Sequence, residues 1–490
     1  MGDPRAKSPT PLAKKTIHFV SLGCPKNRVD SEVMLGVAER AGYRHVPDAA
    51  DASVIVVNTC GFIEPAKKES IDTILELAAH KQTGSCKKLV VAGCLSQRHP
   101  DELADGLPEV DHLLGSSDML QLERVLAGKA DRILVGNPAD WVVDAGDPRT
   151  LSTRGASAYV KIAEGCDRKC SFCVIPELRG VQRSRTVSDV VEEVKRLADA
   201  GVLEVNLVSQ DTVSYGRDLG GARSLAKLVE RVASVAGIRW VRLFYLYPEK
   251  LGDDLIDLLA HHDRVVPYVD MPPQHAADGM LRRMRRGHGG ARLRDLVTRL
   301  RGRVPGLVFR TAFIVGHPGE SDAEFEELCE FVRWARFDHM GVFRYSDEAS
   351  SKSYTLPDKV LARVAASRAK KLMGIQRKIS REKQHALVGS ELVVLVEGPS
   401  EESELVMVGR HAGQAPEIDG QVYLSGAEVR PGEMRRVRVE RATDYDLLGE
   451  VVDEEPTVSA RRTKRLSPAS LTHHGSDGRR ISLRVVTSGS

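Results

Sequence analysis

The stretch Glu164–Gly180, EGCDRKCSFCVIPELRG, carries Cys166, Cys170 and Cys173 in a C-x₃-C-x₂-C spacing, with Phe172 immediately before the last. Thiolates are soft ligands, so a tight group of them points to zinc or to an iron–sulfur cluster. Structural zinc asks for four ligands, usually as two close pairs. This trio has no local fourth: no His lies between His112 and His261, and no Cys between Cys173 and Cys329. Three thiolates on a four-iron cluster leave one iron open to an outside molecule. The apolar run Ala158–Ala163 leads straight into the loop, which places the trio at the carboxyl end of a strand.

From that strand onward the pattern alternates strand and helix. Strands are expected at Ala158–Ala163, Glu204–Ser209, Trp240–Leu246, Val265–Met271, Leu307–Val315 and Met340–Tyr345. Helices are expected at Ser188–Ala200, Arg292–Arg301 and Asp322–Ala335. The first of these puts Val190, Val191, Val194 and Leu197 on one face and stops at Gly201. Six such units are too few for a closed eight-stranded barrel. Polar groups also fall at other strand ends: Gln210 and Asp211, Gln274 and His275, and the GHPGE loop Gly316–Glu320. Each reads equally well as an ordinary turn residue, and His275 as a satisfied histidine rather than a base. Arg179, Arg183 and Arg185 are placed to bind a carboxylate or to solvate the rim.

Upstream, three β-branched runs, Ile17–Leu22, Val54–Val57 and Leu89–Ala92, alternate with helical stretches such as Ser31–Ala41 and Glu69–Ala79, the signature of a parallel sheet. A cysteine closely follows each run: Cys24, Cys60 and Cys94. A single such Cys is usually a small buried hydrophobe. Three at one topological position should converge at the carboxyl edge, where open α/β sheets bind ligands, and so form a second cluster site. Gly23, Asn27, Asn58, Gly61 and Gly93 surround them. Cys329 shares a helical face with Phe325, Leu328 and Val332 and reads as core, while Cys86 lies in the polar stretch KQTGSCKK; neither is assigned a function.

The chain's 490 residues suit two to four domains, and its net charge of +3 demands no global nucleic-acid partner. Eight cysteines are too sparse for a disulfide scaffold. No apolar run approaches the roughly 20 residues that span a bilayer, and residues 1–15 lack a secretory apolar core, so a soluble cytoplasmic protein is expected. Pro357–Leu387 reads as a polar helix. The short β runs Glu391–Glu397, Glu404–Val408, Gln421–Leu424 and Arg435–Val439 suggest a five-stranded barrel. Residues 391–450 hold 13 acidic groups against six arginines and no lysine, a balance of −7. Such a module repels phosphate and suits a basic protein partner. The Ser/Thr-rich basic segment Val451–Ser490 reads as disordered.

Taken together, SLGCPKN, VNTCGFI, GCLSQR, AEGCDRKCSFC, IPELRG, GHPGE and YSDE resemble the radical S-adenosylmethionine methylthiotransferases. Within that class SLGCPKNRVDSE, SQDTVSYG, FYLYPE, APEIDG and DYDLLGE resemble the branch that modifies an aspartate β-carbon of ribosomal small-subunit protein twelve; the other branch modifies adenosine in transfer RNA. MPPQH and GHPGE depart from that branch's usual IPIQH and GFPGE, and the tail after Glu450 is extra. The resemblance implies an α/β architecture: a doubly wound parallel domain over 16–145, a (β/α)₆ partial TIM barrel over 152–385 and a small antiparallel TRAM-like β-barrel over 386–452. A disordered start (1–15) and a disordered basic tail (453–490) flank them. It implies two 4Fe-4S clusters, one on Cys166, Cys170 and Cys173 that makes an adenosyl radical from S-adenosylmethionine, the other on Cys24, Cys60 and Cys94 that carries the methylated sulfur. Gln210 and Gly316 are expected at the S-adenosylmethionine site, with no further catalytic residue assigned. The implied partners are the ribosomal protein, free or in the assembled subunit, and an electron donor, with nucleic-acid contact secondary and no membrane.

Overall fold

The computed structural model describes residues 15–153, 155–220, 224–454, 457–459 and 484–486. The expected disorder of the first 14 residues, and of most of the tail, lies outside the described residues. Two short tail segments are paired: Val458–Ser459 with Glu433–Ala442, and Arg484–Val486 with Thr16–Leu22.

The first domain is a parallel sheet in the order Arg44–His45, Thr16–Leu22, Val54–Thr59, Lys88–Gly93, His112–Leu114, Ile133–Leu134. Successive side chains of a strand alternate between faces. Val20, Leu22, Ile55 and Val57 therefore enter one apolar core and Ile17, Phe19, Val54 and Val56 the other. Burial on both faces explains why these strands read as unbroken apolar runs. Chain order reverses between Thr16–Leu22 and Val54–Thr59, the switch point where doubly wound sheets open a ligand crevice.

Helix Pro25–Arg40 begins six residues earlier than the sequence suggested. Its stretch KNRVDSE hides an amphipathic period because the helix is buried on opposite sides. Met34, Leu35 and Ala38 pack on the first sheet, while Val29 and Val33 join Tyr159, Phe244 and Tyr268 of the second domain.

That second domain is six parallel strands in consecutive order: Ser157–Lys161, Glu204–Val208, Trp240–Leu243, Val265–Asp270, Val308–Val315, His339–Arg344. The sheet is an open partial barrel, with helices such as Val187–Asp199, Gly290–Arg303 and Asp322–Ala335 sealing its outer face. The third strand ends at Leu243 rather than Leu246, where Tyr245 turns the chain with φ +57°. Helix Ala362–His385 starts later than Pro357, after Asp358 at φ +59°.

The C-terminal module closes five strands, Glu391–Pro399, Met407–His411, Val422–Ser425, Leu447–Val451 and Glu433–Ala442, around Val394, Val396, Val422, Val437 and Leu447. It departs from a purely antiparallel barrel in one pair: Leu447–Val451, not foreseen as a strand, runs parallel to Val422–Ser425. The expected strand from Glu404 begins only at Met407. The segment between Met407–His411 and Val422–Ser425 inserts into the partial barrel. There Tyr159 Oη donates to Pro416 O at 3.1 Å and Tyr268 Oη to Asp419 Oδ2 at 2.7 Å, while Arg410, on the strand before it, donates from Nη2 to Glu204 Oε2 at 2.6 Å. Among the described residues no helix is long and apolar enough to cross a membrane.

Candidate functional site

Cys24, Cys60 and Cys94 stand at the carboxyl ends of three adjacent strands of the first sheet, the first two at the switch point. Two asparagines lace these ends together. Asn27 Nδ2 donates to Leu22 O (3.0 Å) and Thr59 O (2.9 Å), and Asn58 Nδ2 donates to Asn27 O (2.8 Å) and Ser31 Oγ (2.9 Å). Gly23, at φ +94°, lets its loop approach so closely that an added Cβ would lie 2.9 Å from Cys60 Cβ. Burial, with the facing Cys94 and Cys24 acting in the same direction, pushes the Cys60 thiol up to about 12. The fold thus brings the three cysteines to one edge, with Cys60 within electrostatic reach of both Cys24 and Cys94.

Cys166, Cys170 and Cys173 occupy the mouth of the partial barrel. The loop folds back on itself through Cys166 N–H to Gly180 O (3.0 Å). Arg168 donates its backbone N–H to Cys166 Sγ at 3.5 Å, and Arg286 Nη1 donates to Cys170 Sγ at 3.3 Å. Tyr247 lies between these two guanidiniums, 3.7 and 4.0 Å from its ring centre, and donates its hydroxyl to Arg286 O. Phe172 packs on Ala277, Met280 and Met284. Burial pushes the Cys166 thiol up to about 11 and the Cys173 thiol to about 12.

A buried charged seam joins the trios. Arg179, expected to bind a carboxylate or solvate the rim, is 2% exposed. Its Nε donates to Cys94 Sγ (3.3 Å), Nη1 to Asp30 Oδ2 (2.8 Å) and Glu164 Oε2 (3.5 Å), and Nη2 to Asn27 Oδ1 (2.5 Å). Lys161, fully buried, pairs with Asp30 (2.5 Å) and with Glu164. Burial alone would raise the Glu164 carboxyl, but the Lys161 and Arg179 charges hold it near 2. Arg185 is buried as well, on Asp189 and Glu193, and Arg183 donates to the carbonyls of Val181 and Pro138.

The remaining sequence candidates fall as follows. Gln210 donates its amide to Glu164, while its Oε1 and Asp211 Oδ1 are buried without a partner. Gly316, at φ +80°, gives its N–H to Glu320 Oε2 (2.5 Å), and a Cβ there would lie 2.5 Å from Ala365 Cβ, so helix packing already demands a glycine. His275 is the satisfied histidine expected, 3.2 Å from Glu320. Cys329 is core. Cys86 is buried rather than in an open loop, its Sγ 3.3 Å from Lys88 O. Sequence reading missed Lys26, Asp30, Lys161, Arg168, Tyr245 and Arg286, whose roles arise only from tertiary contacts.

Among the described residues no three Cys, His, Asp or Glu side chains converge on one point as a single bound ion requires. A polynuclear cluster instead takes one thiolate per iron, and two groups of three free thiols, one buried and two half-buried in each, with a guanidinium on one sulfur of each group, fit that demand. The orphaned Gln210 Oε1 and Asp211 Oδ1 are acceptors open to a polar ligand beside Cys166.

Family models match in the same order as the domains: "Uncharacterized protein family UPF0004" over residues 16–115, "Radical SAM superfamily" over 160–332 and "TRAM domain" over 388–452. The ribosomal protein uS12 methylthiotransferase RimO of Sorangium cellulosum is 69% identical over 97% of this chain and 98% of its own. Its counterpart in Myxococcus xanthus is 50% identical over 93% and 96%. A radical S-adenosylmethionine methyltransferase structure from Kitasatospora setae aligns at 14% identity and TM-score 0.49, covering 68% of this chain and 72% of that one, too loose a likeness to bear on chemistry. This chain belongs to the ribosomal protein uS12 methylthiotransferase family.

Proposed function

We propose that this protein transfers a methylthio group to the β-carbon of an aspartate in ribosomal small-subunit protein twelve, in the cytoplasm and with an external electron donor. Cys166, Cys170 and Cys173 hold one 4Fe-4S cluster and Cys24, Cys60 and Cys94 the other; Gln210 and Gly316 belong to the S-adenosylmethionine site. When bound, the clusters and S-adenosylmethionine supply radical hydrogen abstraction and the sulfur, chemistry that no side chain provides at a carbon without an acidic proton. The chain's own work is to orient the groups and exclude water. Arg179 and Arg286 donate hydrogen bonds to one sulfur of each trio, and Lys161, Asp30 and Glu164 fix the distance between the trios.

The observation that carries this reading is the Arg179 bridge, which ties the loop of one trio to a thiol of the other across a buried seam. The test is an anaerobic assay with dithionite and S-adenosylmethionine that offers either the ribosomal protein or transfer RNA. Methylthio incorporation into the protein is expected; incorporation into RNA alone would sink the protein-substrate reading.

A further inference from the structure

We propose that Lys26 recognises the side-chain carboxylate of the aspartate that is modified. Lys26 follows Cys24 by two residues and is 8% exposed, and its Nζ lies 3.4 Å from the centre of the Tyr245 ring. Among the described residues no Asp or Glu oxygen comes within 4.0 Å of that ammonium. The buried cations of the seam are neutralised, Lys161 by Asp30 and Glu164 and Arg179 by Asp30 and Glu164, and the half-buried Arg310 pairs with Asp270 and Asp419. A buried charge without a counter-ion is costly, and the face of an aromatic ring returns only part of that cost. The ring itself is held at an expense, since Tyr245 takes a left-handed φ of +57° that a side chain rarely adopts. A cation with no carboxylate in ion-pair contact, kept over a strained aromatic residue beside one cysteine trio, is a prepared anion site.

The inference rests on the aspartate reading above and adds the means of recognition. Fixing the carboxylate fixes the carbon one bond away, which is the β-carbon to be attacked. It also explains how a site full of carboxylates, Asp30, Glu164 and Asp270 among them, admits one more. The incoming charge meets the seam's spare cation.

The experiment uses the anaerobically reconstituted enzyme, unaltered and as the variants K26M and K26R, on the ribosomal protein with its native aspartate or with asparagine in its place. The unaltered enzyme is expected to favour aspartate by about thirtyfold or more in kcat/KM, the effect of leaving a buried charge unpaired. K26M should lose about that factor on the aspartate substrate and bring the two substrates within about threefold of each other. K26R should restore most of the discrimination. Equilibrium titration should show weaker binding of the aspartate protein alone, with iron content unchanged. An aspartate-to-asparagine ratio unaltered in K26M overturns the assignment. So does iron loss in both variants, which makes Lys26 part of the cluster's support, or weakened S-adenosylmethionine binding with the ratio intact, which makes the anion the cofactor's carboxylate. Each of these results leaves the function standing. An unaltered enzyme that modifies transfer RNA and not the protein overturns the function and this inference together.

Discussion

Arg179 Nε lies 3.3 Å from Cys94 Sγ, so a guanidinium belonging to one cysteine trio is bonded to a thiol of the other. The same planar fork holds Asp30, Asn27 and Glu164. A charge-assisted bond favours the thiolate that a metal would need, against the burial that raises the Cys94 thiol.

Removing that fork should be expensive. In Arg179→Met, Asp30 and Glu164 keep only Lys161 between them, and the loss is expected at about 3–5 kcal/mol, the usual result of breaking a buried ion pair on one side. Arg179→Lys supplies a point charge in place of a planar fork and should recover less than half. Anaerobic thermal unfolding with iron analysis measures both; an unchanged melting temperature in Arg179→Met would show that the seam does not hold the domains.

Iron content separates the two trios. Two four-iron clusters give about eight irons per chain, and Cys60→Ala and Cys170→Ala should each fall to about four. Zinc in place of iron, or a single variant that empties both sites, would contradict two independent clusters.

Gly165 precedes the first cysteine of the barrel trio at φ +81°, and a Cβ there would stand 2.0 Å from Val181 O. Backbone cannot yield as a side-chain tip can, so Gly165→Ala should cost at least about 1–3 kcal/mol and empty the adjacent site, halving the iron. Gly106→Ala is the control, because nothing lies within 4 Å of its added Cβ. It should change stability by less than about 1 kcal/mol.

Acid should loosen the small barrel from the large one. Burial pushes the Glu204 carboxyl up from its ordinary 4.5, but Arg410 and Arg242 overcome this and hold it at about 2. Because the folded value is depressed, the stabilisation is complete above pH 4.5 and is lost as pH falls from there toward 2. A shift of this size corresponds to about 3 kcal/mol. Melting temperatures measured from pH 6 to pH 3 should fall more steeply for the unaltered protein than for Glu204→Gln, which starts lower but has no such carboxyl to protonate.

The cysteines were legible because their signal is local: an apolar run, then a thiol, at three places in one sheet and once as a trio. The strand count of the barrel was legible for the same reason. Helix Pro25–Arg40 was cut short because residues packed on opposite faces leave no polar stripe, although Pro25 at its first turn was an available start signal. Arg286, one of several arginines in RRMRRGHGG, touches a sulfur 116 residues away, and nothing in its neighbourhood marks it. Leu447–Val451 was missed because five residues containing a glycine and a glutamate look like a turn until a neighbour on each side pairs with them.

The hydroxyl of Tyr159, on the first barrel strand, is satisfied by the carbonyl of Pro416, 257 residues later. The floor of the radical domain is thus supplied by a segment made well after the barrel's own strands. Folding that proceeds in order of synthesis reaches this domain first but leaves it unfloored until Arg410, Pro416 and Asp419 have been made. Truncation ahead of residue 410 would strand Glu204, Tyr159 and Tyr268 against water, so the barrel that carries Cys166, Cys170 and Cys173 cannot be shortened to its own six strands.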